Sequence, residues 1–348
     1  VGSDGFVDAM LVSPVGVALL ARLETWSRNS GGYGRLVDDT SPEFVNATSE
    51  AVTQMSFGEL VELAVFTAAI DVGPWIPDAP DSVASSYRHA DDRAPIAAAI
   101  NDRFGASLHA PMDNTRQQWW TTAQTSADRL APLFVDFEHV YDAGQFTWAG
   151  LWTVSDPPDI AHSELIDAWE LYDGPITRWH LPVTPSARVF EIHGPDDWAH
   201  LVNEHPRVAV SHLEHWELPG VNQDPTELQT LMAVPGQRAA RTTMRHHVVP
   251  DWRSVADRYD GVHLSWAGFI TAEGCITDQD NNDVTMLRYW FSERTQWLSD
   301  VFGDPEPAPP PVLQEPQLSD GSIGTVAPHD RLNRRQRDTQ SLARLLGR

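Results

Sequence analysis

Ile176-Thr-Arg-Trp-His-Leu-Pro-Val183 decides the fold class. Trp179, Leu181 and Val183 fall on one side of an extended chain, and Arg178 and His180 fall on the other. That two-residue period is the signature of a half-buried strand. Arg188 to His193 repeats it, and Gly194-Pro195-Asp196-Asp197 then opens a short helix with acids in its first turn, which Pro206 stops. Strands followed by short helices, most with one wet face, predict a mixed, mainly antiparallel sheet with flanking helices.

Working outward, Pro132 to Tyr141 and Phe146 to Val154 flank Asp142-Ala143-Gly144 and read as a hairpin, with Trp148, Trp152 and Val154 on one face. A helix is expected over Ile160 to Leu171. Towards the C-terminus, Gly261 to Trp266, Gly268 to Ile276 and Val284 to Phe291 read as strands. A helix carrying Trp297, Leu298 and Val301 is expected after Ser292.

The first 130 residues read as helical. Ser13-Pro14 and Ser41-Pro42-Glu43 are start signals, Ser56-Phe-Gly-Glu59 has capping-box spacing, and two more helices are expected over Pro95 to Phe104 and Asn114 to Leu130. The fold class is therefore α+β. The expected division is a helical unit over 1–130, an α+β unit over 131–302 and a Pro-rich, disordered tail over 303–348. Six arginines lie among the leucines of its last eighteen residues.

Composition narrows the function classes. The formal net charge is -25 and every one of the 24 basic residues is Arg. Double-stranded nucleic acid and anionic membrane are repelled by such a body, and without Lys there is neither a Schiff-base lysine nor a Walker lysine. No apolar run is long enough to span a membrane. The run from Val15 to Leu23 has no basic flank and no small-residue cleavage site, so it is not read as a signal peptide. A single cysteine, Cys275, excludes an intrachain disulfide and a Cys-based zinc site, and fits a reducing, cytoplasmic compartment. It reads as a small strand residue, with no basic neighbour in sequence to activate it.

Twelve of the fourteen tryptophans lie between positions 119 and 297, on faces shared with aliphatic residues, and are read as core. His212-Leu-Glu-His215 matches neither helical zinc motif, and Asp278 to Asp283 departs from a calcium loop at its sixth position. The latter reads as a polar connection between strands, and no metal is expected. The polar positions of the strands form the candidate site: Arg178 and His180, Glu191 and His193, His263 and Ser265. Converging on one pocket, they would offer an Arg for a phosphate or carboxylate and a carboxylate for a developing cation or for base chemistry.

Three stretches, Arg188-Val-Phe-Glu-Ile-His-Gly-Pro-Asp-Asp-Trp198, Asp260-Gly-Val-His-Leu-Ser-Trp-Ala-Gly-Phe-Ile-Thr271 and Thr295-Gln-Trp-Leu298, together resemble a group of uncharacterised actinobacterial proteins. That resemblance covers roughly 140–302 and implies no activity. A fainter resemblance is to ADP-ribosyltransferases, which set an Arg or His on an early strand, a Ser or Tyr on a middle strand and a catalytic Glu near the end. Arg178, Ser265 and Glu293 occur in that order, although the chain reads His263-Leu-Ser265 where that family has Ser-Thr-Ser. The resemblance implies an NAD-directed transferase or glycohydrolase with NAD as its nucleotide. The other expectation is a non-catalytic binding or assembly protein, with an acidic body and a basic C-terminal tail that docks on an acidic partner or on the body itself.

Overall fold

The computed structural model describes residues 3–28, 40–68, 86–115, 117–122, 151–155, 176–208, 246–279, 283–287, 290 and 292–308. Four helices open the chain: α1 (Ser3–Val12), α2 (Pro14–Arg28), α3 (Pro42–Gln54) and α4 (Phe57–Thr67). A 3-10 turn at Asp91–Arg93 leads into α5 (Ala94–Leu108). The start signals work locally. Ser56 accepts from the Glu59 backbone N–H while the Glu59 carboxylate takes the Ser56 N–H at 2.8 Å, a complete capping box. Ser56→Ala is expected to lower stability by about 1 kcal/mol in urea denaturation. Ser13 accepts from Gly16 N and donates to Ile270 O, so a local cap also ties α2 to a helix more than 250 residues later.

Seven strands form one sheet in the order β11-β3-β1-β2-β10-β7-β4. They are β1 (Gln117–Thr122), β2 (Leu151–Ser155), β3 (Ile176–His180), β4 (Val189–Ile192), β7 (Gly261–Leu264), β10 (Arg294–Trp297) and β11 (Glu306–Pro307). Among the described strands of this sheet, only the β4–β7 pair is parallel. The helix α6 (Pro195–Glu204) follows β4, and Pro206 begins β5 (Pro206–Val208), which pairs with β6 (Val248–Pro250). Then come α7 (Trp252–Arg258) and, after β7, α8 (Trp266–Ala272). β8 (Ile276–Asp278) and β9 (Val284–Met286) form a small hairpin joined by the Asp278–Asp283 connection.

Cross-strand register sorts the side chains. Ile192, Val262 and Leu264 occupy even positions and join α1, α2, α5 and α8 in the main core, which runs from Phe6 to Leu298. Trp119, Leu151 and Trp297 occupy odd positions and form a second cluster with Leu181 and Val183 on the opposite face. Helices from the first 130 residues and strands from the rest thus share one core.

Three elements differ from expectation. Asn114 to Leu130 was expected to be helical, but Gln117–Thr122 is a strand held between β2 and β3. Its Trp and Thr residues suit a pleated surface, and sheet pairing outweighs the helical reading. Gly268 to Ile276 was expected to be a strand, but Trp266–Ala272 is a helix and every residue of it is buried. Ser292 was expected to open a helix, but Arg294–Trp297 is a strand, also wholly buried. A segment buried all round shows no period to read.

One boundary also moves. Residues expected in the tail belong to the sheet: Gly303 N donates to Pro182 O and Glu306 pairs with His180. Positions 309–348, the 132–141 half of the expected hairpin, the 160–171 helix and His212 to His215 lie outside the described residues. Among the described residues no single helix is long and apolar enough to cross a membrane.

Candidate functional site

The parallel pairing of β4 with β7 sets Glu191 opposite His263, and Ser265 follows at the end of β7 as the cap of α8. β10 pairs with β7 on its other side, with Thr295 opposite His263, and Glu293 lies two residues before Thr295. These odd positions therefore share a face, and three of their side chains meet. His263 is 1% exposed. Its Nδ1 contacts Glu191 Oε2 at 2.5 Å and its Nε2 contacts Glu293 Oε1 at 2.8 Å. Burial by itself pushes the imidazole pKa down. Hydrogen bonds and charges from Glu191 and Glu293 reverse this and raise it to about 9. At neutral pH the ring is an imidazolium that donates to both glutamates.

The glutamates are held in turn. Glu293, 2% exposed, accepts from Ser155 N at 3.2 Å on Oε1 and 3.1 Å on Oε2. Glu191, whose side chain is 27% exposed, accepts from Met112 N at 3.1 Å. Ser155 continues the chain into β1: Gln117 Nε2 donates to Ser155 Oγ at 2.9 Å, Thr153 Oγ1 donates to Gln117 Oε1, and Trp297 Nε1 donates to Thr153 at 2.7 Å. One hydrogen-bonded row thus crosses five strands, from β1 through β2, β10 and β7 to β4.

Ser265 and His193 form a separate pair beside this row. Ser265 Oγ donates to Ile192 O at 3.1 Å and accepts from Gly268 N at 3.1 Å. His193 Nδ1 lies 3.0 Å from the same oxygen. The hydroxyl of Ser265 is thus shared between Ile192 O, Gly268 N and His193 Nδ1, and it caps α8. Next to it a Cβ on Gly268 would stand 2.3 Å from Ile192 O, so α8 sits against β4 as closely as glycine alone permits.

The expected convergence is thus partial. Glu191, His193, His263, Ser265 and Glu293 share the odd face. Arg178 and His180 hold even positions on β3, paired with Trp120 and Gln118, and so belong to the opposite face. The expectation that Arg178 joins Ser265 and Glu293 is corrected by this register. β3 is also separated from β10 by β1 and β2. Among the described residues no group of three or more His, Cys, Asp or Glu could hold a metal. His246 instead pairs with Asp283 at 2.9 Å.

Gln117, Thr153 and Ser155 belong to the row but were missed. Thr153 and Ser155 could have been found, since they alternate with Trp152 and Val154. Gln117 was hidden by the helical reading of its segment. Comparison with family models, curated proteins and solved structures gives no match.

Proposed function

We propose that this chain is a non-catalytic binding or assembly protein. Its acidic body attracts basic partners, and the arginine-rich segment over 331–348 supplies a second docking element of opposite charge. One observation carries the reading: His263 and the two glutamates at the centre of the row are committed to one another and to backbone N–H groups. His263 has both nitrogens committed, Glu293 takes an imidazolium and a backbone N–H, and Ser265 caps a helix. A site for chemistry needs at least one group free to meet a substrate.

A second reading has a specific observation in its favour. The late Glu293 lies on Ser155 N of the neighbouring strand. That sets a carboxylate beside a serine of a middle strand, as the ADP-ribosyltransferase resemblance implies, with Ser155 in the place given to Ser265.

Labelled NAD distinguishes the two. The binding reading expects no release of nicotinamide or ADP-ribose from the full chain or from Glu293→Gln. Release by the wild-type chain that disappears in Glu293→Gln overturns it in favour of the second. For the tail, a pull-down with the full chain should lose salt-sensitive partners when 309–348 is deleted. An unchanged partner set removes the tail from the proposal.

A further inference from the structure

The row ends at the edge of the sheet, where a helix from the first part of the chain meets β4. His109 caps the C-terminus of α5, and its ring stands edge-on to Phe6 of α1, centroids 5.4 Å apart at 75°. His193 also lies near it, 6.0 Å between ring centroids at 51°. Three residues beyond His109, Met112 N donates to Glu191. Two imidazoles therefore face each other where this segment attaches to the sheet.

We propose that the His109–His193 pair is an acid-sensitive latch. With His109 neutral, the segment over 109–112 rests against the end of β4 with Met112 N on Glu191. With His109 protonated, a positive charge sits in a partly buried contact beside a second imidazole, the segment lifts, and Glu191 loses Met112 N.

The groups around the pair have known signs. Facing His109 are His193 and Asp197; the first disfavours a proton on it and the second favours one. Asp197 Oδ2 also accepts from His193 N at 2.8 Å, and Ser265 Oγ holds His193 Nδ1. The negative end of α5 favours a proton on His109 as well. Burial is the largest influence on His109 and lowers its pKa, with His193 second. The sign follows. A depressed histidine pKa leaves more protons on the unfolded chain, so the contact is intact above the ordinary value of 6.5 and weakens as pH falls below it.

Hydrogen exchange of the Met112 amide, corrected for its intrinsic pH dependence, tests the latch in the full chain. Between pH 7.5 and 5 its protection is expected to fall about tenfold or more in the wild type. It should change less than about twofold in His109→Phe, which keeps the ring contact with Phe6 but not the charge. An equal fall in both, or no fall in the wild type, overturns the proposal. If His109→Phe fails to fold, an NMR titration of the wild-type imidazoles decides. A His109 step below 6.5 accompanied by a Met112 amide shift supports the latch. A His109 step at or above 6.5, or an unmoved Met112 amide, refutes it.

Discussion

Arg93→Ala is expected to remove about 3–5 kcal/mol of stability, enough to leave much of the chain unfolded at moderate urea. Glu24 on α2 is 0% exposed and Arg93, at the end of the 3-10 turn before α5, is 1% exposed. Arg93 Nη2 meets Glu24 Oε2 at 3.0 Å, while Nη1 donates to Ser86 O at 3.0 Å. Taking away the guanidinium strips a fully buried carboxylate inside the helical layer of this ion pair. That desolvation penalty exceeds what the pair contributes when intact.

The double variant Arg93→Met with Glu24→Leu fills similar volume without charge. It is expected to recover most of the loss, because a buried ion pair is often no better than a hydrophobic pair of its size. Urea midpoints at constant slope provide the measurement. If Arg93→Ala costs less than about 1 kcal/mol, water reaches Glu24 and the pair is not a core element. If the double variant is as unstable as the single one, the Arg93 bond to Ser86 O carries the effect instead.

Neither partner of that pair was visible in the sequence, and the reason separates what could be read from what could not. Signals that act within four residues were legible. Ser56 and Glu59 cap each other, Pro14 and Pro42 open their helices, and Gly194-Pro195 begins α6 before Pro206 ends it. The alternation of Glu191 with Ile192 and of His263 with Leu264 was also legible, since polar and apolar residues take turns along each of these strands. It could not show which face of one strand joins which face of another. Arg178 was grouped with His193 on alternation alone, and β3 turned out to present its even positions with Ile192 and Leu264. Pairing register carries that information, and it depends on contacts tens of residues apart.

In two segments buried on both faces even the element type was lost. Trp266–Ala272 and Arg294–Trp297 are enclosed on all sides, and one is a helix while the other is a strand. Glu293 illustrates the same limit. It was selected for its order along the chain, and it reaches His263 because β10 runs antiparallel to β7.

His263 sets the second large effect, and pH reveals it. The folded imidazole titrates at about 9 against 6.5 when free, because Glu191 and Glu293 hold its proton against the opposing influence of burial. A raised histidine pKa means that the folded chain binds more protons than the unfolded chain between those values. The contribution is therefore complete below pH 6.5 and disappears as pH climbs through 9. Its size is on the order of 3 kcal/mol, lost at roughly 1.4 kcal/mol per pH unit across that window.

Urea unfolding at pH 6.5, 8 and 9.5 should show this decline in the wild type. His263→Gln can still offer a hydrogen bond but holds no titrating proton. It should be less stable at pH 6.5 by about 2–4 kcal/mol and flat across the window. Wild type and variant should then approach each other near pH 9.5, where the wild-type imidazole has given up its proton and can donate to only one of its two glutamates. Parallel declines in the two proteins would mean that another group governs the alkaline limb, and that Glu191 and Glu293 do not keep a proton on His263.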